Sequence, residues 1–463
     1  MARLGAICFP GTGHINPLAA LARELERRGH KVIVFGIADT EARIRAAGLE
    51  FRLIGQSDYP LGTLSRLDKR LGELSGLATF RFTVERVKNT AIMLLRDGPD
   101  AVREANLDAM LIDEADMAGT IADHLRLPFV SIAFFPPLVS DDRIPPFCFP
   151  WPASTHPLSR LRNRLGMRLL HRVAAPIYQA VNRQRESWGL PRLIRATDAL
   201  SPLAQIAQLP EALEFKAGIG RTPALHYTGP FIDADQRPAV EFPWNRLDGR
   251  PLIYASLGTL QNRSLFLFKT IAEACTPLKA QLVLSLGGGL DPDVLGPLPG
   301  NHVVVRYAPQ IELLKQSAAV ITHAGLNTVL ETLNEGVPLV AIPQGNDQPG
   351  VAARIAASGS GIVIPPRKLT VARLRSALDS VLTDPRYETS ANNIRTAMQQ
   401  FDGKQRAADI IEGALALKPQ QAGTIHPIMS TLRRHPELMS LQGARAPYPP
   451  LQLPLQQADS ESS

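Results

Sequence analysis

Cysteine is scarce: the 463 residues carry three, Cys8, Cys148 and Cys275. The number is odd and the three stand far apart, with no partner at metal-ligand spacing, which argues against a disulfide framework or a zinc site. A reducing, cytoplasmic setting is expected. Long apolar runs are missing as well. No stretch reaches the ~18–20 residues that cross a bilayer, so a membrane-integral chain is excluded. The first residues lack the length and the small-residue cleavage site of a signal peptide and are expected to form a strand. Strong charge of one sign is also absent. Fifty Lys and Arg against 43 Asp and Glu leave +7, a balance that suits nucleic acid, anionic lipid or a diphosphate and by itself selects none of them.

What is present is an ordinary globular composition, 45% hydrophobic and 20% charged. A single core stops growing at roughly 250–300 residues, so two domains are expected. Apolar runs that favour strands alternate with helical periodicity from Leu4 onward, the pattern of βαβ units and a parallel sheet. The expected organisation is a first α/β domain over 1–228, a linker without periodicity over 229–250, and a second α/β domain over 251–417. The tail 418–463, rich in Pro, Gln and Ser, is expected to be disordered. Each domain is expected to be Rossmann-like. Such sheets bind ligands at the carboxyl ends of their strands, so the cleft between the domains is the expected site.

Three strand-to-helix junctions of the second half carry small and hydroxyl residues: Ser256-Leu257-Gly258-Thr259, His323-Ala324-Gly325-Leu326-Asn327-Thr328, and Pro343 to Gln348. Free backbone N–H groups and the helix dipole favour an anion at such junctions, and a diphosphate is the natural occupant. His323 and Asn327 can add side-chain donors. Glu331, one turn beyond Asn327 on the same helix face, can accept from both hydroxyls of a ribose. Tyr307 and Gln310 are placed to stack on a base and read its edge, and Asp347 and Gln348 offer partners for sugar hydroxyls. In the first half, Gly11-Thr12-Gly13-His14 follows the first strand and opens a helix. Histidine suits general-base work near neutrality, and a helix N-terminus is expected to disfavour a resting imidazolium. Gly-x-Gly-x-x-Asn lacks the third glycine of a dinucleotide fingerprint, which sets a dehydrogenase aside.

The span 303–355, with Tyr307-x-Pro309-Gln310, Thr322-His323-x-Gly325-x-Asn327-Thr328, Glu331, Gly336-Val337-Pro338, Pro343 and Asp347-Gln348, resembles the donor-binding signature of glycosyltransferase family 1. Leu111-Ile112-Asp113, Leu127 to Ser131, Ser201 to Gln205 and Asp347 to Ile355 extend the likeness to the zeaxanthin glucosyltransferases of carotenoid pathways. The resemblance implies the GT-B architecture of two facing Rossmann-like domains. It also implies a nucleotide-sugar site that includes Gly325, with the base at Tyr307 and Gln310, the phosphates at His323, Asn327 and Thr328 with Ser256 and Thr259, a ribose carboxylate at Glu331 and the sugar at Asp347 and Gln348. It implies His14 as catalytic base, Asp113 as its partner, direct displacement with inversion, and no metal or other cofactor. UDP-glucose and a lipophilic alcohol such as a carotenoid are the implied substrates, with flavonoid, polyketide and other terpenoid hydroxyls next. Tyr307 stands where plant members usually carry Trp, which leaves uridine and thymidine both open. Leu326 also replaces a plant Trp.

Other readings stay beside these. A sugar-nucleotide epimerase would share the architecture but would not need the long segments 56–100 and 135–200, which suit an acceptor wall. A non-catalytic sugar-nucleotide binder would not need both His14 and Asp113. Asp233-Ala234-Asp235 imitates a metal-binding Asp-x-Asp but falls in the linker, where a solvated turn is expected. Asp116 is expected to cap a helix, and Gly287 to Gly289 to touch phosphate or to turn the chain. Between Arg160 and Arg195 stand nine arginines, and Leu158, Leu161, Leu165, Leu169 and Val173 recur at helical intervals. Such a segment lies on an anionic membrane or packs its leucines beneath a solvated basic face. Without interleaved aromatics it does not suggest nucleic acid.

Overall fold

The computed structural model describes residues 1–74, 76–233, 237, 239–260 and 262–417. The tail 418–463 and Asp235 lie outside them. The first half contains strands β1 (Arg3–Ile7), β2 (Lys31–Gly36), β3 (Glu50–Leu53), β4 (Ala109–Asp113), β5 (Phe129–Ala133), β6 (Gln205–Ala207) and β7 (Leu225–Tyr227). Its helices are α1 (Thr12–Arg27), α2 (Ala38–Ala46), α3 (Thr63–Gly72), α4 (Gly76–Glu104), α5 (Gly119–Leu125) and α6 (Pro157–Ser187). The second half contains β8 (Leu252–Ser256), β9 (Gln281–Ser285), β10 (Val303–Val305), β11 (Ser317–Thr322), β12 (Leu339–Ala341) and β13 (Gly361–Val363). With them run α7 (Leu265–Cys275), α8 (Gln310–Leu314), α9 (Leu326–Asn334), α10 (Gln348–Ser358), α11 (Val371–Thr383), α12 (Pro385–Gln399) and α13 (Gly403–Ala414).

These strands form two parallel sheets, ordered β3-β2-β1-β4-β5-β6-β7 and β10-β9-β8-β11-β12-β13. Both are doubly wound, as expected. Strands covered by helices on both faces read as continuous apolar runs. Val32, Ile33 and Val34 of β2 and Ala319, Val320 and Ile321 of β11 are accordingly all buried. One face of the first sheet packs under α1, with Leu18, Leu21 and Leu25. Its other face packs under α4 and α5, with Leu94, Val102 and Ile121.

The last helix is where the expected division differs from the structure. Instead of completing the second domain, α13 packs its Ala407, Ala408 and Ile411 into the α1 side of the first core. Arg28 at the end of α1 donates to Asp409 at 2.6 Å and to Glu412 at 3.0 Å. An apolar stripe of this kind needs a buried partner surface, and periodicity does not say which sheet supplies it. A buried pair also joins the halves: Arg354 of α10 donates to Glu214 through Nε and Nη2, both at 3.0 Å.

Candidate active site

Register brings the site loops together. In the first sheet Ile7 pairs with Ile112, so the loop after β1 and Asp113 at the end of β4 emerge side by side. In the second sheet Ser285, Ser256, Thr322 and Ala341 form one row across the carboxyl edge. The loops leaving both edges line one cavity of about 1450 Å³. Of the residues expected to bind donor or to act in catalysis, twelve line it and Asp113 sits behind His14: Ser256, Thr259, Tyr307, Gln310, His323, Gly325, Asn327, Thr328, Glu331, Asp347 and Gln348 come from the second domain and His14 from the first. The segments proposed as an acceptor wall also line it, with Phe80 and Val84 from α4, Phe135 and Phe147 from the loop after β5, and Leu169 and Ile177 from α6.

His14 is the third residue of α1. Its Nδ1 lies 2.6 Å from Oδ2 of Asp113. The Asp113 carboxylate is fully buried and is held by two further donors, the backbone N–H of Phe9 at 3.1 Å and that of Ala115 at 3.0 Å. The rings of Phe9, Phe134 and Phe135 surround the imidazole, with centroids 5.4, 5.8 and 6.3 Å away. Here the structure corrects an expectation. Burial does push the His14 pKa down, but the charge and hydrogen bond of Asp113, with smaller contributions from Asp347 and Asp116, outweigh it and leave the pKa above that of an ordinary histidine. A carboxylate in contact is stronger than the partial charge of a helix end. Asp116 is corrected too, since α5 begins after Ala118 and has no side-chain cap. Asp116 is buried with Oδ2 unpartnered among the described residues, and burial and the nearby Asp113 charge push its pKa up to about 7.

In the second domain, His323 is clasped by two loops. A Cβ on Gly258, where φ is +75°, would lie 2.6 Å from the His323 ring, and one on Gly325 would lie 2.5 Å from it. Only glycine leaves space for the imidazole there. Burial lowers the His323 pKa to about 4, so the ring is neutral near pH 7 and can donate one N–H. Nδ1 has no partner among the described residues. The turn at Gly287 and Gly288 makes room for neighbours: a Cβ on Gly288 would meet the hydroxyl of Tyr307 at 1.9 Å. Positive φ at Gly287 and Gly288 shows that the run turns the chain, and Gly287 also lines the cavity.

Glu331 is 5% exposed, and its partners were not evident from sequence. Arg237, from the linker, pairs with both its oxygens. Gln310 Nε2 donates to Oε2 at 2.6 Å, and Tyr254 donates to Gln310 Oε1 at 3.1 Å. Gln310 therefore points its amide at the carboxylate. Gln348 accepts the backbone N–H groups of Gln344 and Gly345 at 2.7 and 3.1 Å, bracing the loop in front of α10. Asn327 reaches across the cleft, donating to the Gly13 carbonyl and accepting from Gln208. Ala324 and Asn346, at φ +67° and +54°, sit in these same loops. Left-handed backbone at residues other than glycine marks locally held strain. Asp233 pairs with Arg23 at 2.7 Å.

A model of the family described as UDP-glucoronosyl and UDP-glucosyl transferase matches residues 240–399. A zeaxanthin glucosyltransferase of Pantoea ananas is 32% identical over 416 residues, 89% of this chain and 96% of that protein. One from Pseudescherichia vulneris is 31% identical over 423 residues, 90% of this chain and 98% of that protein. Among solved structures, the glycosyltransferase of kitacinnamycin superposes with a TM-score of 0.69 at 24% identity, covering 89% of this chain and 98% of that one. The calicheamicin glycosyltransferase CalG4 superposes with a TM-score of 0.68 at 22% identity, covering 90% and 98%. These neighbours share the GT-B fold of two facing parallel-sheet domains. Matched along nearly the full length of such relatives, the chain belongs to glycosyltransferase family 1, the UDP-glycosyltransferases.

Proposed function

We propose that this enzyme moves a hexose, glucose first, from its UDP-sugar to a hydroxyl of a lipophilic small molecule, with inversion at the anomeric carbon and without a metal ion. The observation that carries the reading is the His14–Asp113 contact of 2.6 Å, with His14 opening into a cavity that also holds the signature loops. Asp113 accepts the hydrogen bond of the His14 Nδ1–H and so fixes the tautomer, which leaves Nε2 unprotonated and free to act as base. The acceptor oxygen attacks the anomeric carbon as its proton passes to Nε2 and the bond from that carbon to the diphosphate oxygen breaks. One C–O bond forms, one breaks, and UDP departs with the electron pair. The single displacement inverts the carbon.

The charge that develops on the diphosphate faces the N-terminus of α9, with Ser256, Thr259, Asn327 and Thr328 alongside and a neutral His323 donor. Tyr307 would stack on the base, Glu331 would take the ribose hydroxyls, and Asp347 and Gln348 the sugar. The names of the zeaxanthin glucosyltransferase relatives and the phenylalanine-rich first-domain wall support a carotenoid-like acceptor. The same cavity, about 1450 Å³, also admits polyketide, flavonoid or other terpenoid alcohols. Family membership favours transfer over an epimerase or a non-catalytic binder.

The test is UDP release from UDP-glucose with a panel of hydroxylated lipophiles including zeaxanthin, using wild type and His14→Ala, with and without EDTA. Acceptor-dependent release that the substitution abolishes and EDTA leaves intact is expected. Turnover that survives in His14→Ala removes the proposed base, and loss with EDTA removes the metal-free mechanism.

A further inference from the structure

Helix α6 turns its leucines away from the protein. In a helix of 3.6 residues per turn, positions 158, 161, 165 and 169 fall within an arc of about 80°. The buried residues of α6, among them Asn163, Gly166, Ile177 and Val181, lie on other faces. Leu158 is 70% exposed, Leu161 48%, Leu165 52% and Leu169 54%. A basic amphipathic helix in a soluble core would bury this stripe. Here it faces out.

The stripe is set among cations. Of the charged residues on α6, seven are arginines and one, Glu186, is an acid. Arg168, Arg172 and Arg183 fall on or beside the leucine face, are exposed, and form no ion pair among the described residues. The apolar face also runs into the cavity. Leu165 and Leu169 line its mouth, together with Ile194, which is 72% exposed, and with Arg168 and Arg172.

We propose that the outer face of α6 and the adjoining rim of the cavity dock on an anionic lipid bilayer, and that the acceptor enters the cavity directly from that surface. Exposed leucines enter the interfacial zone while flanking arginines meet lipid phosphates, the arrangement of an interfacial amphipathic helix. Two copies of this face brought together would oppose their own unpaired guanidiniums, which disfavours a symmetric dimer there. The entry step rests on the lipophilic-acceptor reading above; the docking step does not.

The experiment is flotation of the full chain, without donor or acceptor, on vesicles of phosphatidylcholine alone or mixed with phosphatidylglycerol. Wild type is expected to float with the anionic vesicles only, and less at high salt. Leu158→Asp/Leu161→Asp, at two positions outside the cavity lining, is expected to lower the partition coefficient about tenfold or more. Its affinity for UDP and its turnover of a water-soluble acceptor should be unchanged. Arg183→Glu should weaken binding to anionic vesicles in the same direction. Wild type left in the supernatant, or a double variant that floats as well as wild type, overturns the docking. So does a wild-type dimer in sedimentation that the double variant turns into a monomer. Entry from the bilayer predicts that the double variant loses turnover of an acceptor dissolved in vesicles but not of a soluble one; equal turnover of both overturns it. Flotation with no turnover of any acceptor would count against the catalytic reading and leave the docking intact.

Discussion

Asn327, at the start of α9 in the second domain, donates its side-chain N–H to the carbonyl of Gly13 at 2.8 Å. Gly13 immediately precedes His14, so a residue proposed to bind phosphate also braces the loop of the proposed base. Gln208 completes the link by donating to Asn327 Oδ1 at 2.9 Å, which fixes the orientation of the amide.

Gln208→Ala is therefore expected to lower kcat about two- to tenfold, the value of one neutral hydrogen bond, with little change in UDP affinity. Asn327→Asp places an acceptor against the Gly13 carbonyl and a negative charge in the proposed phosphate site. It is expected to weaken UDP binding more than about tenfold. Calorimetric titration and initial rates separate the two effects. Equal losses of UDP affinity in both variants would show that Gln208 acts on donor binding and not through the loop.

The pH profile tests Asp113. A base works when unprotonated, so kcat/KM should rise with pH through the pKa of His14, which Asp113 holds above the ordinary histidine value. Asp113→Asn removes the charge that raises it. The rising limb should move to lower pH while the plateau falls about 100-fold or more, because the tautomer is no longer fixed. A limb that stays in place would assign it to another group.

Glu114 predicts a stability effect of definite sign. It is buried beside Asp113, and burial raises its pKa to about 8. Between the unfolded carboxylate range and about 8 the folded chain keeps a proton that the unfolded chain releases, so stability declines as pH rises through this window. Glu114→Gln keeps the oxygen that accepts the Leu138 N–H and does not titrate. Urea melts should show a flatter decline in the variant, with a relative gain on the order of a few kcal/mol at the alkaline end. Parallel curves for variant and wild type would refute it.

Gly258→Ala should impair donor binding without unfolding the protein. The added Cβ would meet the His323 ring at 2.6 Å in a backbone with φ of +75°, and the strain is local to the loop. UDP affinity is expected to fall about tenfold or more, with a loss of roughly 1–2 kcal/mol in stability. Unchanged UDP affinity would show that His323 does not need its observed place.

Much of this arrangement was legible in the sequence because β1, β2, β8 and β11 are continuous apolar runs that end in glycine-bearing junctions. Strand ends place loops, and loops carried the motifs. The short strands β6 and β7 are not legible, since three residues show no period, and α12 is faint in the sequence because few apolar side chains mark its face. Partnerships were the hardest to foresee. Arg237 is an ordinary linker arginine until folding sets it against Glu331, and Gln208 gains its role only from Asn327 on another sheet. The leucines of α6 show the converse. Their spacing was plain, but whether they faced a core or the solvent depended on what else packed nearby.

The return of α13 to the α1 side means that the backbone passes between the two sheets twice, once through the linker and once between α12 and α13. The two crossings lie side by side, where Lys404 donates to the Ile232 carbonyl at 2.7 Å, and a paired connection resists twisting more than a single one would. Opening and closing of the cleft would thus follow a door hinge rather than a ball joint. Protease nicking within the linker alone would leave the halves attached, with their relative motion less constrained.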